Sequence, residues 1–577
     1  MRSMKSKVCV NGMLAAGFVY GTGSNRVVDK QSLQRRWMMA RKLFLLLIVM
    51  GLICSVGLPS SVGAQEEPKK GGTFIVAIPQ NPPHFLAAST SNTFVSLAGC
   101  PLYPALLAYD SDANMKPLTT ELAESYTFDG KNLQFNLRKN VKWSDGTPLT
   151  SADVKFTLEN ITSKLHPHGN KFLSALDRVD TPDNYTAIVR LKNPYAPLPS
   201  FFHWHYCTIV PKHIWEPYLG RLQDCPEYKQ PKTVAGAWKL KEYISGDHIT
   251  YEANPDYWKP NKPYLDRLIF KIIPDAVTEV AALEAGEVDM LIPVMFPATE
   301  AERLKKNSQI SVTRLGFEIR GVFFYLFFNV RQTPLGDKKV RKALAYAIDR
   351  RTIIDNVASG YGFYPDSPIP EGPMWNAIRK TPTVTYPYDV TKARQLLDEA
   401  GYPKRQDGMR NISITFASVN IQDMLKIAEM VKAYWKDVGV DTTILAMDEG
   451  AFEDRIFKKQ DFGVTVSDVG VAGDFSVEGR VYQSKGIGKL WNNPMGYSNN
   501  RIDWLFDNVA AETDANKQKA YYAELQDILA DELPVLWLYQ STPPHAFSNK
   551  FGGLPVRPHA QFSSWDFIWW KGGKPIK

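Results

Sequence analysis

The chain has 577 residues, 44% hydrophobic and 22% charged, the balance of a globular protein with material for roughly three packed domains. Its formal charge of +8 is confined to the start: nine of the 68 Lys and Arg and one of the 60 acids fall in the first 64 residues, leaving 59 of each beyond them. A neutral body excludes the broad basic surface with which nucleic-acid and anionic-membrane binders hold their partners.

Arg35, Arg36, Arg41 and Lys42 precede an apolar run from Leu43 to Leu58, and Val62-Gly63-Ala64 follows. This is the order of a secretory signal cleaved after Ala64, with translation starting at Met38 or Met39 and residues 1–64 outside the fold. The run is short of the ~20 apolar residues of a spanning helix, which makes a retained anchor the weaker alternative. Cys54 follows Ile53, where a lipidated cysteine follows a small residue.

Beyond the signal, "TFIVAIP" predicts a first strand from Thr73 to Ile78, stopped by Pro79. In "LQFNLRKNVKWSDGTPLTSADVKFTLENI", Leu133, Phe135 and Leu137 alternate as in a half-buried strand, and Asp145-Gly146 marks a turn. A helix then starts at Thr150 or Ser151, with Asp153 at the capping-box position. Ser245-Gly246-Asp247 sits between two β-rich runs and predicts a hairpin. Asp275 caps a helix ending at Gly286. "GVFFYLFFNV", from Gly321, is apolar throughout and predicts a strand buried on both faces. Asp337 caps a helix with Val340, Ala343, Leu344, Ala347 and Ile348 in one stripe. "ISITFASV", "IQDMLKIAEMVKAYWKDVG" and "VDTTILAM" form a βαβ unit, and "AYYAELQDILADELPVLWLYQ" predicts a helix, a stop at Pro534 and a strand. The fold class is α/β.

Export to an oxidising compartment makes Cys100, Cys207 and Cys225 readable. Cys207 and Cys225 bracket a Pro- and Gly-containing stretch and are the expected disulfide; a Cys100–Cys207 bridge and three separate thiols are the alternatives. In "FFHWHYC", His203, His205 and Cys207 would share one face of a strand, a spacing that suits a transition metal or simple packing between strands. His166-Pro167-His168 reads as a solvated loop. Ser144 and Asp145 could join a hydrolytic triad, but no G-x-S-x-G elbow precedes a helix. The strongest enzyme reading is a secreted glycosidase with a carboxylate pair, motivated by the thirteen tryptophans beyond Trp37 and the abundant acids.

Several segments together resemble one family. They are "KPLTTELAESYTFDGKNLQFNLRKNVKWSDGTPLTSADVKFTLENI" (116–161), "TVAGAWKLKEYISGDHITYEANPDYW" (233–258), "PYLDRLIFKIIPDAVTEVAALEAGEVDM" (263–290), "FFNVRQTPLGDKKVRKALAYAIDR" (327–350) and "YDVTKARQLLDEAGY" (388–402). In order and spacing they resemble the extracytoplasmic solute-binding proteins of ABC transporters, in the oligopeptide/dipeptide/nickel class (family 5).

The resemblance implies the three-domain variant of the type II periplasmic-binding fold, two lobes hinged around a ligand. Domain I would comprise 70–108, 229–320 and 530–577, domain II 109–228 and domain III 321–529. It implies a periplasmic, monomeric, non-enzymatic receptor for a small solute, most simply a di- or oligopeptide, with permease subunits as partners. Opines, oligosaccharides and a nickel complex are alternative ligands; no cofactor, protein-bound metal or nucleic acid is expected. Peptide-binding relatives carry a Trp-x-x-Asp whose acid pairs with the ligand's ammonium; Thr465-Val466-Ser467-Asp468 keeps the acid without the tryptophan. Asp468, with Ser467 beside it, is the expected anchor and Asp474 its competitor. Trp375, Asn329, Trp238 and His84 are the other expected cleft residues. The chain shows no P-loop, as expected of a receptor served by a separate ATPase.

Overall fold

The stretch from Leu133 to Ile161 folds as its pattern dictates. Strand Asn132–Leu137 buries Leu133, Phe135 and Leu137, Gly146 closes the turn at φ 89°, and helix Ser151–Phe156 begins at a complete Thr150/Asp153 capping box. The computed structural model describes residues 68–109, 117–292, 296, 298–314, 322–372, 375–471, 474–554 and 562–572. The expected secretory signal, the expected start codons and Cys54 lie outside them. Among the described residues, no helix is long and apolar enough to cross a membrane.

Three sheets organise the chain. The first has seven strands in the order Ile310–Thr313, His545–Ser548, Met290–Leu291, Thr73–Ile78, Arg267–Ile272, His248–Ala253 and Trp238–Ile244. Thr73–Ile78 lies parallel to both Arg267–Ile272 and Met290–Leu291. The second is an antiparallel four-stranded sheet, Ala123–Phe128, Asn132–Leu137, Thr186–Leu191 and Leu176–Asp183, which shares one apolar core with the first. These two make one lobe.

The second lobe is built on six strands: Gly362–Phe363, Val535–Ser541, Val322–Phe328, Val464–Gly470, Ser413–Val419 and Asp441–Met447. Its centre is the apolar strand. Phe323, Tyr325 and Phe327 fill one face with Trp537, while Leu326 and Phe328 fill the other with Val464, Val466 and Trp435. The βαβ unit forms as expected, with Ser413–Val419 parallel to Asp441–Met447 across helix Gln422–Asp437.

The chain passes between lobes at two adjacent places. Strand Ile310–Thr313 precedes the first crossing and Val322–Phe328 follows it; Val535–Ser541 precedes the second and His545–Ser548 follows it. The strands that flank the crossings pair antiparallel within each lobe, so the ends of the two crossings lie side by side, the arrangement of a hinge. The C-terminal return therefore comes after Ser541 and not near residue 530, because Val535–Ser541 is held in the second lobe's sheet by pairing with Val322–Phe328.

Other expectations require correction. "FFHWHYC" is not a strand: it follows the 3₁₀ turn Leu198–Phe201, and the Tyr206 and Cys207 N–H groups both donate to the His203 carbonyl, at 3.0 and 2.8 Å. The strand reading failed because the backbone turns on itself here, its N–H groups bonding to the His203 carbonyl a few residues back and not to a neighbouring strand. His166 is buried too, and His168 is the second residue of the helix Pro167–Phe172, where the sequence suggested a solvated loop. Cys100, Cys207 and Cys225 are three buried free thiols, and the Cys207–Cys225 bridge is not formed.

Candidate ligand cleft and its residues

In open α/β sheets ligands bind beyond the carboxyl ends of the parallel strands. In this chain those ends are Ile78 and Leu291 in the first lobe and Val419 and Gly470 in the second. The lobes meet on the side of the four-stranded sheet, where the Ala196 N–H donates to the Ala510 carbonyl at 2.7 Å and Val477 packs against the first lobe's core. Beside the crossings, the Tyr361 hydroxyl donates to Glu302 at 2.9 Å and the Arg314 guanidinium lies 4.7 Å from the Tyr361 ring centre. The lobes are thus closed on one another.

The expected anchor residues divide sharply. Asp468 is exposed, and the strand's alternation puts it on the face that Val464 and Val466 turn to helix Gln422–Asp437, within electrostatic reach of Tyr539. Ser467 points to the opposite face and is nearly buried. Asp474 is differently placed. Its Oδ1 accepts from the Ser476 N–H at 2.8 Å and the Tyr522 hydroxyl at 2.6 Å, and its charge reaches Tyr109 and Tyr195 of the other lobe.

Four further candidates have structural partners or surroundings. Asn329 is buried; its amide donates to the carbonyls of Gln460 and Phe462, and its oxygen accepts from Arg331. Trp238 is fully buried and donates to the Ser564 carbonyl at 2.8 Å, fixing the C-terminal segment. Trp375 is 1% exposed within the second lobe's core, with no partner for its indole N–H. His84 accepts from the Leu86 N–H, stacks on Tyr228 at 4.3 Å and lines a pocket of about 550 Å3 with Ser89, Lys164 and Gln223, all within the first lobe. Burial lowers the His84 pKa to about 4, so its ring is neutral.

The chemical alternatives find little to work with. Ser144 Oγ donates to the Lys232 carbonyl at 2.7 Å, while His213 is held by Asp145 at 2.7 Å, so the three side chains do not form a relay. His166, His168, His203 and His205 gather in one aromatic cluster, with His205 stacked on Phe562 at 4.1 Å. Among the described residues, no three His, Cys, Asp or Glu side chains are placed to hold a metal ion.

Residues 117–483, which run through both lobes, match the middle region of the bacterial extracellular solute-binding proteins, family 5. The chain belongs to that family. This family 5 protein is 28% identical over 500 residues to the dipeptide-binding protein of Escherichia coli, an alignment covering 81% of this chain and 89% of that one. It is 26% identical over 547 residues to the oligopeptide-binding protein AppA of Bacillus subtilis, covering 90% and 95%. The solved structure of that AppA, in complex with a nonapeptide, superposes with a TM-score of 0.69 at 25% identity, covering 87% of this chain and all of that one. Family 5 proteins of this two-lobed fold are binding proteins, and the α/β, two-lobed expectation holds.

Thr465-Val466-Ser467-Asp468 lacks the motif's tryptophan, so the register of the acid is not fixed by the sequence. A signal for Asp474 was nevertheless present: Asp474-Phe475-Ser476 has the spacing of an Asx cap, which presets one carboxylate oxygen.

Proposed function

We propose that this family 5 protein is exported to the periplasm, captures a small polar solute between its lobes, and presents it to the permease of an ABC transporter. A di- or oligopeptide is the leading ligand class. The observation that carries this reading is the family match running through two lobes that close about paired crossings. Closure of this kind is a population shift, stabilised by a ligand that touches both lobes at once.

We assign the ammonium-pairing role to Asp474 in preference to Asp468. Tyr522 and Ser476 hold Oδ1 of Asp474, and its charge reaches two tyrosines of the other lobe, whereas Asp468 lies exposed on the strand face of Val464 and Val466. A carboxylate enclosed by closing lobes requires a cation, because an unpaired buried charge is costly. Of the remaining expected residues, Trp375 keeps a free donor for a ligand, while Asn329 and Trp238 serve to position the strands and the C-terminal segment.

The chain acts as a receptor and not as an enzyme. With purified mature protein, a bound peptide should raise the melting temperature in proportion to ligand concentration and be recovered intact. Multiple turnover to a cleaved product would refute this reading in favour of the glycosidase or another hydrolase. Asp474→Asn should weaken an amine-bearing ligand while leaving an N-acetylated one unchanged; equal losses for both would remove Asp474 from the contact.

A further inference from the structure

His545 opens the strand by which the chain re-enters the first lobe after its second crossing. The strand runs antiparallel to Met290–Leu291, so its first residue lies at the carboxyl end of the parallel strands, where ligands bind in such sheets. His545 is 2% exposed, yet neither ring nitrogen has a hydrogen-bond partner. The buried hydroxyl of Thr542, in the crossing itself, is likewise without one.

Buried imidazoles are ordinarily satisfied, since leaving a donor or acceptor unpaired is destabilising. The packing around His545 offers no apolar reason for a histidine. Ala546 points into the core beneath helix Ala276–Ala285, whereas His545 takes the other face with Phe547, whose ring centre is 6.0 Å away. Its cross-strand neighbour is Thr313, the last residue before the first crossing. Burial lowers its pKa to about 4, so at neutral pH the ring carries one N–H donor and one lone-pair acceptor and no charge.

Resting on the solute-binding reading, we propose that His545 is a specificity-determining ligand contact on the first-lobe side of the cleft. It recognises an uncharged group that both accepts and donates, such as a peptide amide, a carboxamide or a hydroxyl. The ammonium end of the solute would then be held by the second lobe and a neutral polar group by the first, so that one ligand bridges both.

The test uses the mature protein stripped of ligand by unfolding and refolding, and the small-molecule fraction released from natively purified protein as the probe. His545→Phe should leave the melting temperature of the stripped protein unchanged or higher, because it removes an unsatisfied ring. It should weaken binding of the probe roughly ten- to hundredfold, the loss expected when a site built around a polar group can no longer pair with it. With 15N-histidine labelling, the His545 resonances, assigned by their absence in the variant, should move on adding the probe to wild type. Unchanged affinity together with unmoved His545 resonances would overturn the assignment while leaving the receptor reading intact. If no released fraction or peptide raises the melting temperature of wild type, the receptor reading itself fails and takes this inference with it.

Discussion

Glu279 sits in the first turn of helix Ala276–Ala285, 2% exposed, with Oε1 unpartnered. Burial, reinforced by the nearby Asp275 carboxylate, raises its pKa from 4.5 to about 7. A carboxyl whose folded pKa lies above its unfolded one destabilises the fold in its charged form. The penalty is absent below pH 4.5, grows through the interval and is complete above about pH 7. At about 1.4 kcal/mol per tenfold change in proton affinity, it amounts to about 3 kcal/mol. Glu279→Gln abolishes the titration while keeping the shape of the side chain. In guanidinium titrations of wild type and variant at pH 4.5, 6 and 7.5, wild type should lose about 3 kcal/mol more than the variant between the extremes. The comparison is made across pH and not at one pH, because a buried amide carries its own constant cost. Parallel stability curves across the whole range would show that Glu279 is ionised freely in the fold, and the reasoning from burial would be wrong.

Lys259 joins Glu121 at 2.7 Å and Asp566 at 3.2 Å, both carboxylates being essentially buried, and so ties the C-terminal segment to the first lobe. Lys259→Met should cost about 3–5 kcal/mol in denaturant titrations at neutral pH, because it leaves the buried Glu121 without its cation; a loss below about 1 kcal/mol would refute the charge argument. Gly236 has room for no side chain, since a Cβ there would lie 2.3 Å from the Pro101 carbonyl oxygen, and Gly236→Ala should lower the melting temperature by several degrees in a thermal scan. The mature chain, denatured without reductant, should take up three equivalents of alkylating agent at Cys100, Cys207 and Cys225; one equivalent would reveal a bridge. Asp474→Asn should reduce affinity for a free-amine peptide about tenfold or more by calorimetry, and Asp468→Asn should leave it unchanged.

The elements that sequence resolved are those whose causes are local. Leu133, Phe135 and Leu137 alternate and Thr150 with Asp153 forms its box within a few residues, so strand, turn and helix could all be placed. Asp275 and Gly286 bound a helix for the same reason. Segments whose shape depends on distant partners were not legible. The four histidines meet only because Pro167–Phe172 and the turn after Phe201 pack together, and no spacing in either segment records the other. The return of the chain after Ser541 depends on pairing with a strand some two hundred residues earlier. The cleft candidates fared unevenly because strand position alone does not say whether a polar side chain is already satisfied. Asn329 is consumed by Gln460 and Phe462, whereas His545, a lone histidine at a strand start, gave no signal at all.

The central claim is that the exported chain is a receptor that binds a small solute between its lobes without altering it. Natively purified protein, desalted and then denatured, should release one small molecule per chain by quantitative mass spectrometry, and that molecule should restore the original melting temperature when added back to stripped protein. Release of a product that accumulates beyond one equivalent on incubation with its precursor would contradict the claim.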